Sequence, residues 1–269
     1  MTEEAVWVPP EVDHQRPSVA RIYDYLLGGG HNFEVDREIA GKLLAVQPNV
    51  QDIARRNRAF LQRVVRFLVD SGVRQFLDLG SGIPTVGNVH EVAQQAAPGT
   101  KVVYVDYEEV AVAHSQLLLQ DDKDADIVYA DVTRPADVLN APATRDLLDF
   151  SQPIAILAVT LGHYIPPEAD PVGMFAAYRD AVVSGSYLAL THLTNDFDAV
   201  HGEEIIETMK STRDNVFPRT HAEVLELFTG FELVAPGLVT TSQWRPEPTM
   251  TEAVNPEDDG LYAAVGRKR

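Results

Sequence analysis

Phe76-Leu77-Asp78-Leu79-Gly80-Ser81-Gly82 is the stretch on which the reading of this chain turns. An apolar run ends at an acid, and two glycines in Gly-x-Gly spacing follow at once. Further on, a second apolar run, Val102-Val103-Tyr104-Val105, ends in Asp106. A buried strand, a tight glycine turn, a helix and a second strand closing on an acid form the frame with which α/β domains hold an adenosine-containing ligand. The glycines let the backbone come close to the ligand, and the acid at the second strand tip accepts ribose hydroxyls.

The details separate the possible ligands. A dinucleotide fingerprint asks for a third glycine, where the helix packs closely on the strand and its N-terminus meets a pyrophosphate. Here that position is Thr85, after Ile83-Pro84. Asp78, just before the first glycine, is a poor neighbour for a pyrophosphate. It suits an ammonium group. The pattern therefore favours S-adenosyl-L-methionine, which has an ammonium and no phosphate, over NAD.

The rest of the chain reads as one α/β unit preceded by helices. Residues 17 to about 72 contain no good strand. Ser18 after Pro17 is a candidate N-cap for a helix with Val19, Ile22, Tyr23 and Leu26 on its apolar face. Gly28-Gly29-Gly30 stops it, and helices over 34–44 and 50–70 follow. From residue 74 strands and helices alternate. Strands are expected over 74–77, 101–105, 127–130, 154–159 and 187–190. Pro142 should break 136–148 into turns or short helices. The tail reads as two strands, 231–240 and 261–265, joined by a Pro-rich acidic loop. Right-handed crossovers make this a doubly wound sheet. Thr220-x-x-Glu223 is a capping box.

Composition narrows the function classes. With 269 residues, 45% hydrophobic, the chain can bury one full core. It has no cysteine, which excludes disulfides and thiolate metal ligands, and no metal site is expected. A net charge of −18 repels nucleic acid. The run Arg55-Arg56-Asn57-Arg58 with Arg63 and Arg66 reads as a solvated helix face. No apolar run is long enough to span a bilayer. The acidic start of the chain is unlike a secretory leader, so the expected location is cytoplasmic. The expected partner is a small-molecule substrate; the oligomeric state is open.

Strand, Gly-x-Gly, two strand-end acids and a terminal β-pair resemble the class I S-adenosylmethionine-dependent methyltransferase fold. That resemblance implies a Rossmann-like seven-stranded sheet of order 3-2-1-4-5-7-6 with strand 7 antiparallel. Thr160-Leu161-Gly162-His163-Tyr164-Ile165-Pro166 is similar to the segment after strand four of such enzymes, where Leu-His-His-hydrophobic-Pro is common. Gly162 replaces the first His, so only His163 carries over. A narrower resemblance rests on Pro17-Ser-Val-Ala-Arg21-Ile-Tyr-Asp24-Tyr-Leu-Leu-Gly28-Gly-Gly-His-Asn32-Phe-Glu-Val-Asp36-Arg37, together with Thr191-His192-Leu-Thr194 and Arg219-Thr220-x-x-Glu223. These are similar to signatures of a largely actinobacterial S-adenosyl methyltransferase family long catalogued as a domain of unknown function.

The resemblance implies a division into a helical lid or extension, residues 1–72, and a cofactor-binding domain, residues 73–269. The cofactor-binding candidates are Arg21, Asn32, Asp78, Gly80, Ser81, Gly82, Asp106, Tyr107, Asp131, Val132, Thr160 and Leu161. Asp131 would sit beside the adenine amino group or cap the turn before Pro135. Arg21, on the helix side away from Val19 and Ile22, suits the cofactor carboxylate through its cationic fork. His163 at the end of strand four, and His192 at the end of strand five, are the candidate bases. Two functions stay open: methyl transfer to a small-molecule acceptor, and a regulatory or binding protein that keeps the fold and transfers nothing.

Overall fold

A computed structural model describes residues 13–85, 87–197, 199–247 and 254–269. Three helices come first: α1 (Val19–Leu26), α2 (Glu34–Val46) and α3 (Val50–Asp70). Then β1 (Gln75–Leu79), α4 (Val89–Ala96), β2 (Lys101–Asp106), α5 (Glu109–Leu119) and β3 (Ala125–Tyr129) alternate. Two short helices, α6 (Pro135–Leu139) and α7 (Pro142–Leu147), lead to β4 (Ala155–Ala158), each with a proline at its first turn where the missing N–H costs nothing. The chain goes on through α8 (Pro171–Ala181), β5 (Tyr187–Leu193), α9 (Ala199–Met209) and α10 (His221–Glu226). It closes with β6 (Phe231–Leu233), β7 (Val239–Thr240), α11 (Pro256–Asp259) and β8 (Leu261–Lys268).

The sheet order is β3-β2-β1-β4-β5-β8-β6, with β7 also paired to β8. β1 to β5 are parallel, and β8 runs antiparallel to β5, β6 and β7. This is the expected order, with one refinement. The strand expected over 231–240 is two strands, because Pro236 has no N–H for the ladder and Gly237, at φ 95°, turns the chain. The expected loop before β8 has residues 248–253 outside the described set.

Both faces of the sheet are covered, which is why its strands read as unbroken apolar runs. Phe76, Val102, Tyr104 and Leu157 point to one side, against Phe60, Val64 and Leu68 of α3. Leu77, Val103, Ile156 and Leu188 point to the other, against Phe175 and Tyr178 of α8. A third cluster lies off the sheet: Ile22 and Leu26 of α1, Ile39 and Leu43 of α2, and Met209 of α9. The N-terminal helices thus fasten in two ways: α3 into the sheet core, α1 and α2 onto α9. Strand order reverses between β1 and β4, and a crevice opens at the carboxyl ends of those strands, where such sheets bind ligands. The glycine turn follows β1; Thr160 and Leu161 follow β4. Among the described residues no helix is long and apolar enough to cross a membrane.

Candidate active site

The glycine turn is held from both sides. Gly80 and Ser81 donate to the Val105 carbonyl at 2.8 and 3.1 Å, which pins the turn to the end of β2. A Cβ on Gly80 would stand 2.7 Å from Leu161 Cδ1, at a φ of +66° that L side chains avoid. Asp106 completes the clasp. Its carboxylate accepts the N–H of Gly82 at 2.7 Å, of Tyr107 at 2.8 Å and of Glu108 at 2.9 Å. A carboxylate offers about four lone-pair sites, so one stays free. Asp106 is buried, and burial pushes its pKa up.

A cavity of about 1060 Å³, mouth included, lies over this turn. Of the residues singled out by sequence, Asp78, Gly80, Ser81, Gly82, Asp106, Tyr107, Val132, Thr160 and Leu161 line it. Asp78 is buried at the end of β1, and burial raises its pKa to about 7 against the opposing pull of Arg58. The Tyr107 hydroxyl bonds Asp214, and Arg213 lies over its ring at 4.4 Å.

Three candidates lie elsewhere. Arg21 is buried and does not line the cavity. Its Nε donates to Asp36 at 2.8 Å, its Nη1 to Glu108 at 2.7 Å and its Nη2 to the Arg16 carbonyl at 2.6 Å. Asp36 also accepts the N–H of Ser18 and of Phe33, so Arg21 belongs to a knot that binds α1, α2 and the start of α5. Asn32 donates to Asp24 at 2.8 Å and to the Gly29 carbonyl at 3.0 Å. Asp131 is exposed and accepts from the backbone and hydroxyl of Thr133, closing the turn before Pro135.

The helices supply what sequence reading missed. Tyr23 and Asp24 from α1, and Asn57 and Arg58 from α3, line the same cavity. Asp24 Oδ1, Arg58 Nε and Asn57 Oδ1 are buried and have no hydrogen-bond partner among the described residues. The glycine trio has its reason here. A Cβ on Gly29 would fall 2.0 Å from Asp24 Oδ1. The loop wraps the Asp24 carboxylate, which also takes the His31 N–H at 2.8 Å, and presents it to the cavity. A signal for Asn57 exists in the sequence: it lies on the buried stripe Phe60, Leu61, Val64 and Leu68, a polar residue on an apolar face.

Beside this cavity lies another, lined by Ile22, Leu43, Ile205 and His163 among others. His163 Nδ1 accepts the Leu193 N–H at 3.2 Å, which leaves the ring proton on Nε2. Burial, then neighbouring His192, holds its pKa well below the ordinary value. His192 lines neither cavity. It sits 2.7 Å from the Leu193 carbonyl through Nδ1 and accepts from Arg219 through Nε2 at 2.9 Å, and burial lowers its pKa to about 4. Arg219 also donates to the carbonyls of Gly162 and Ile165, so the pair ties β5 to the turn that carries His163.

These residues fit S-adenosylmethionine. Gly80 has no room for a Cβ, one lone pair of Asp106 is open, and the acidic side chains of Asp24 and Asp78 and the cationic one of Arg58 line the space. Comparison with known proteins agrees. The S-adenosyl methyltransferase family profile matches residues 5–269. A candidate methyltransferase from Thermobifida fusca YX, 41% identical, superposes with a TM-score of 0.92 over 98% of this chain and 100% of its own. A DUF574 family protein from Streptomyces avermitilis MA-4680, 36% identical, does so with the same score over 96% of this chain and 99% of its own. The pyocyanin biosynthetic protein PhzM shares the fold alone, at 16% identity and a TM-score of 0.50 over 82% of this chain and 57% of its own. No functionally curated protein matches. With its sheet order, glycine cradle and strand-end acids, and a family match that runs nearly end to end, the chain belongs to the S-adenosyl methyltransferase family, whose cofactor is S-adenosyl-L-methionine.

Proposed function

We propose that this protein transfers a methyl group from S-adenosylmethionine to a small-molecule acceptor. One observation carries the reading: the cavity over the glycine turn shares Val19, Tyr23, Thr160 and Tyr164 with the second cavity, so donor and acceptor sites meet at one wall. When bound, the cofactor supplies an electrophilic methyl on a sulfonium that leaves as a neutral thioether. The protein then has to supply proximity, orientation and exclusion of water.

The residues divide that work. Asp106 would take a ribose hydroxyl with its remaining lone pair, and Gly80, Ser81 and Gly82 would let the backbone approach. Asp78 and Asp24 would hold the ammonium, and Arg58 the carboxylate. Tyr107, Val132 and Leu161 would enclose the adenine. Arg21 and Asn32 act one step removed: Arg21 fixes Glu108 and α1, and Asn32 fixes Asp24. His163 carries its proton on Nε2 and serves the acceptor cavity as a donor. His192 positions it through Arg219. The helical segment 13–72 contributes Tyr23, Asp24, Asn57 and Arg58 and closes the site over the strand ends.

Calorimetry tests this reading. Binding of S-adenosylhomocysteine with no binding of NAD at equal concentration is expected, followed by transfer of labelled methyl into a low-molecular-weight extract. Tight NAD binding without S-adenosylhomocysteine binding overturns it.

A further inference from the structure

The second cavity has a volume of about 1040 Å³, mouth included, and lies between α1, α2, α9 and the end of β5. Among the described residues, no Asp, Glu, Lys or Arg lines it. Ile22, Leu43, Ile53, Leu193 and Ile205 make most of its wall. His163 adds no charge, since the Leu193 N–H occupies its Nδ1 and burial keeps the ring neutral. A charged ligand would lose its hydration here and find no counter-ion.

The wall shared with the cofactor cavity carries the hydroxyls of Tyr23, Thr160 and Tyr164. The Tyr23 hydroxyl donates to the Ala54 carbonyl at 3.1 Å and accepts from Asn57 Nδ2 at 2.9 Å. The same amide group donates to Thr160 Oγ1. Asn57 is 2% exposed and stands on the cofactor side of this wall, lining that cavity and not the second one, and its Oδ1 has no hydrogen-bond partner among the described residues. The Tyr23 and Thr160 hydroxyls line both cavities, and a polar group in an apolar wall favours a ligand that pairs it. An alkyl amine could bring an N–H, but it is charged in water at neutral pH. A hydroxyl brings the donor without the charge.

We propose that this cavity is the methyl-acceptor pocket and that its ligand is an uncharged, mainly apolar small molecule that presents a hydroxyl to the Tyr23–Thr160 wall shared with the cofactor cavity. The proposal rests on the methyltransferase reading above. Specificity then comes from exclusion: acids, phosphates and amines are rejected by the lack of any counter-charge, and wholly apolar molecules leave the Tyr23 and Thr160 hydroxyls without a polar partner from the ligand.

The test titrates the full chain first with S-adenosylhomocysteine and then, at saturation, with 2-naphthol, 2-naphthoate and 2-methylnaphthalene. 2-Naphthol is expected to bind at least about tenfold more tightly than 2-naphthoate and several-fold more tightly than 2-methylnaphthalene. Ile205→Trp and Val50→Trp, both at partly exposed lining positions, should each weaken 2-naphthol about tenfold or more and leave S-adenosylhomocysteine affinity as it was. Tyr23→Phe should reduce the preference for 2-naphthol over 2-methylnaphthalene, and an unchanged preference in the folded variant overturns the hydroxyl contact. If S-adenosylhomocysteine does not bind, the methyltransferase reading falls and this proposal with it. If it binds while 2-naphthoate equals or exceeds 2-naphthol, or 2-naphthol fails to bind, the acceptor proposal alone falls. Undiminished 2-naphthol binding in both folded tryptophan variants also overturns it, by placing the ligand elsewhere.

Discussion

Asp78 gives the sharpest test of the donor site, because its charge should depend on the ligand. Burial raises its pKa from the ordinary 3.8 to about 7, with Arg58 pulling it down and Asp106 pushing it up. An ammonium beside it favours the ionised form, so binding draws on the deprotonated protein. With a pKa near 7 the group is about nine-tenths ionised at pH 8 and about one-tenth at pH 6. S-adenosylhomocysteine should therefore bind about tenfold more weakly at pH 6 than at pH 8, roughly 1.4 kcal/mol. Titration at pH 7 in buffers of different ionisation enthalpy should register release of about half a proton. Asp78→Asn should bind more weakly at pH 8 and lose the pH slope. Stability moves the opposite way. A folded-state pKa raised above the unfolded value means that the folded protein holds the extra proton. Stability is then full below about pH 4 and falls as pH rises through about 7. The ligand-free Asn variant should thus exceed wild type in melting temperature at pH 8, with a ceiling of about 4 kcal/mol, and the gain should vanish near pH 4. A wild-type affinity that is flat from pH 6 to 8, or a slope that persists in Asp78→Asn, refutes the assignment.

Other residues have distinct signatures. Arg21→Ala strands the buried Asp36 and Glu108 carboxylates and should cost about 3–5 kcal/mol of stability, read as a melting-temperature fall on the order of 10 °C. Arg58→Gln should change melting far less and weaken S-adenosylhomocysteine by about 1.5–3 kcal/mol, measured by calorimetry; the reverse ranking would return the carboxylate to Arg21. Asp106→Ala frees three backbone N–H groups as well as the ribose contact, so it should lower both affinity, by about tenfold or more, and the melting temperature. Gly80→Ala combines a positive φ with a clash on Leu161 and should lose about 1–2 kcal/mol for the φ alone; adding Leu161→Ala should restore only the part due to the clash.

The sheet and the strand-end half of the site were legible because both are local in sequence. A buried strand, its acid and its glycines are contiguous, and the chain must turn where they meet. The helical half was not legible for the complementary reason. Successive helix residues point about 100° apart, so Arg55-Arg56-Asn57-Arg58 faces four ways. Arg55 is exposed beside Asp52, Arg56 pairs Asp259, Asn57 is buried and Arg58 enters the cavity. Only the packing of α3 on the sheet decides which of the four meets the ligand. Arg21 misleads on the same ground: it lies off the face formed by Ile22 and Leu26, yet the segment before α1 and the start of α2 cover that side too. Asn32 and Gly29 make a close approach, and the group approached is the Asp24 carboxylate.

The site's unpaired groups share one origin. Asp24 Oδ1, Asn57 Oδ1 and Arg58 Nε are buried without a hydrogen-bond partner among the described residues, Asp78 is buried at a raised pKa, and Thr160 holds a positive φ of 59°. Each is unfavourable in the ligand-free protein, and strain of this kind persists only where surrounding structure enforces it. That enforcement is visible: the Arg21–Asp36–Glu108 knot, the glycine loop around Asp24, and the Arg219–His192 tie behind the Thr160 turn. The Arg21–Asp36 pair, the glycine loop and the Arg219–His192 tie lie outside the two cavities and fix residues within them. Ligands that pair these groups remove the cost, so donor and acceptor bind to a wall already set in place. Because Tyr23 and Thr160 belong to both cavities, whatever steadies them for one ligand should steady them for the other, and the proposed donor and acceptor sites meet at four shared residues.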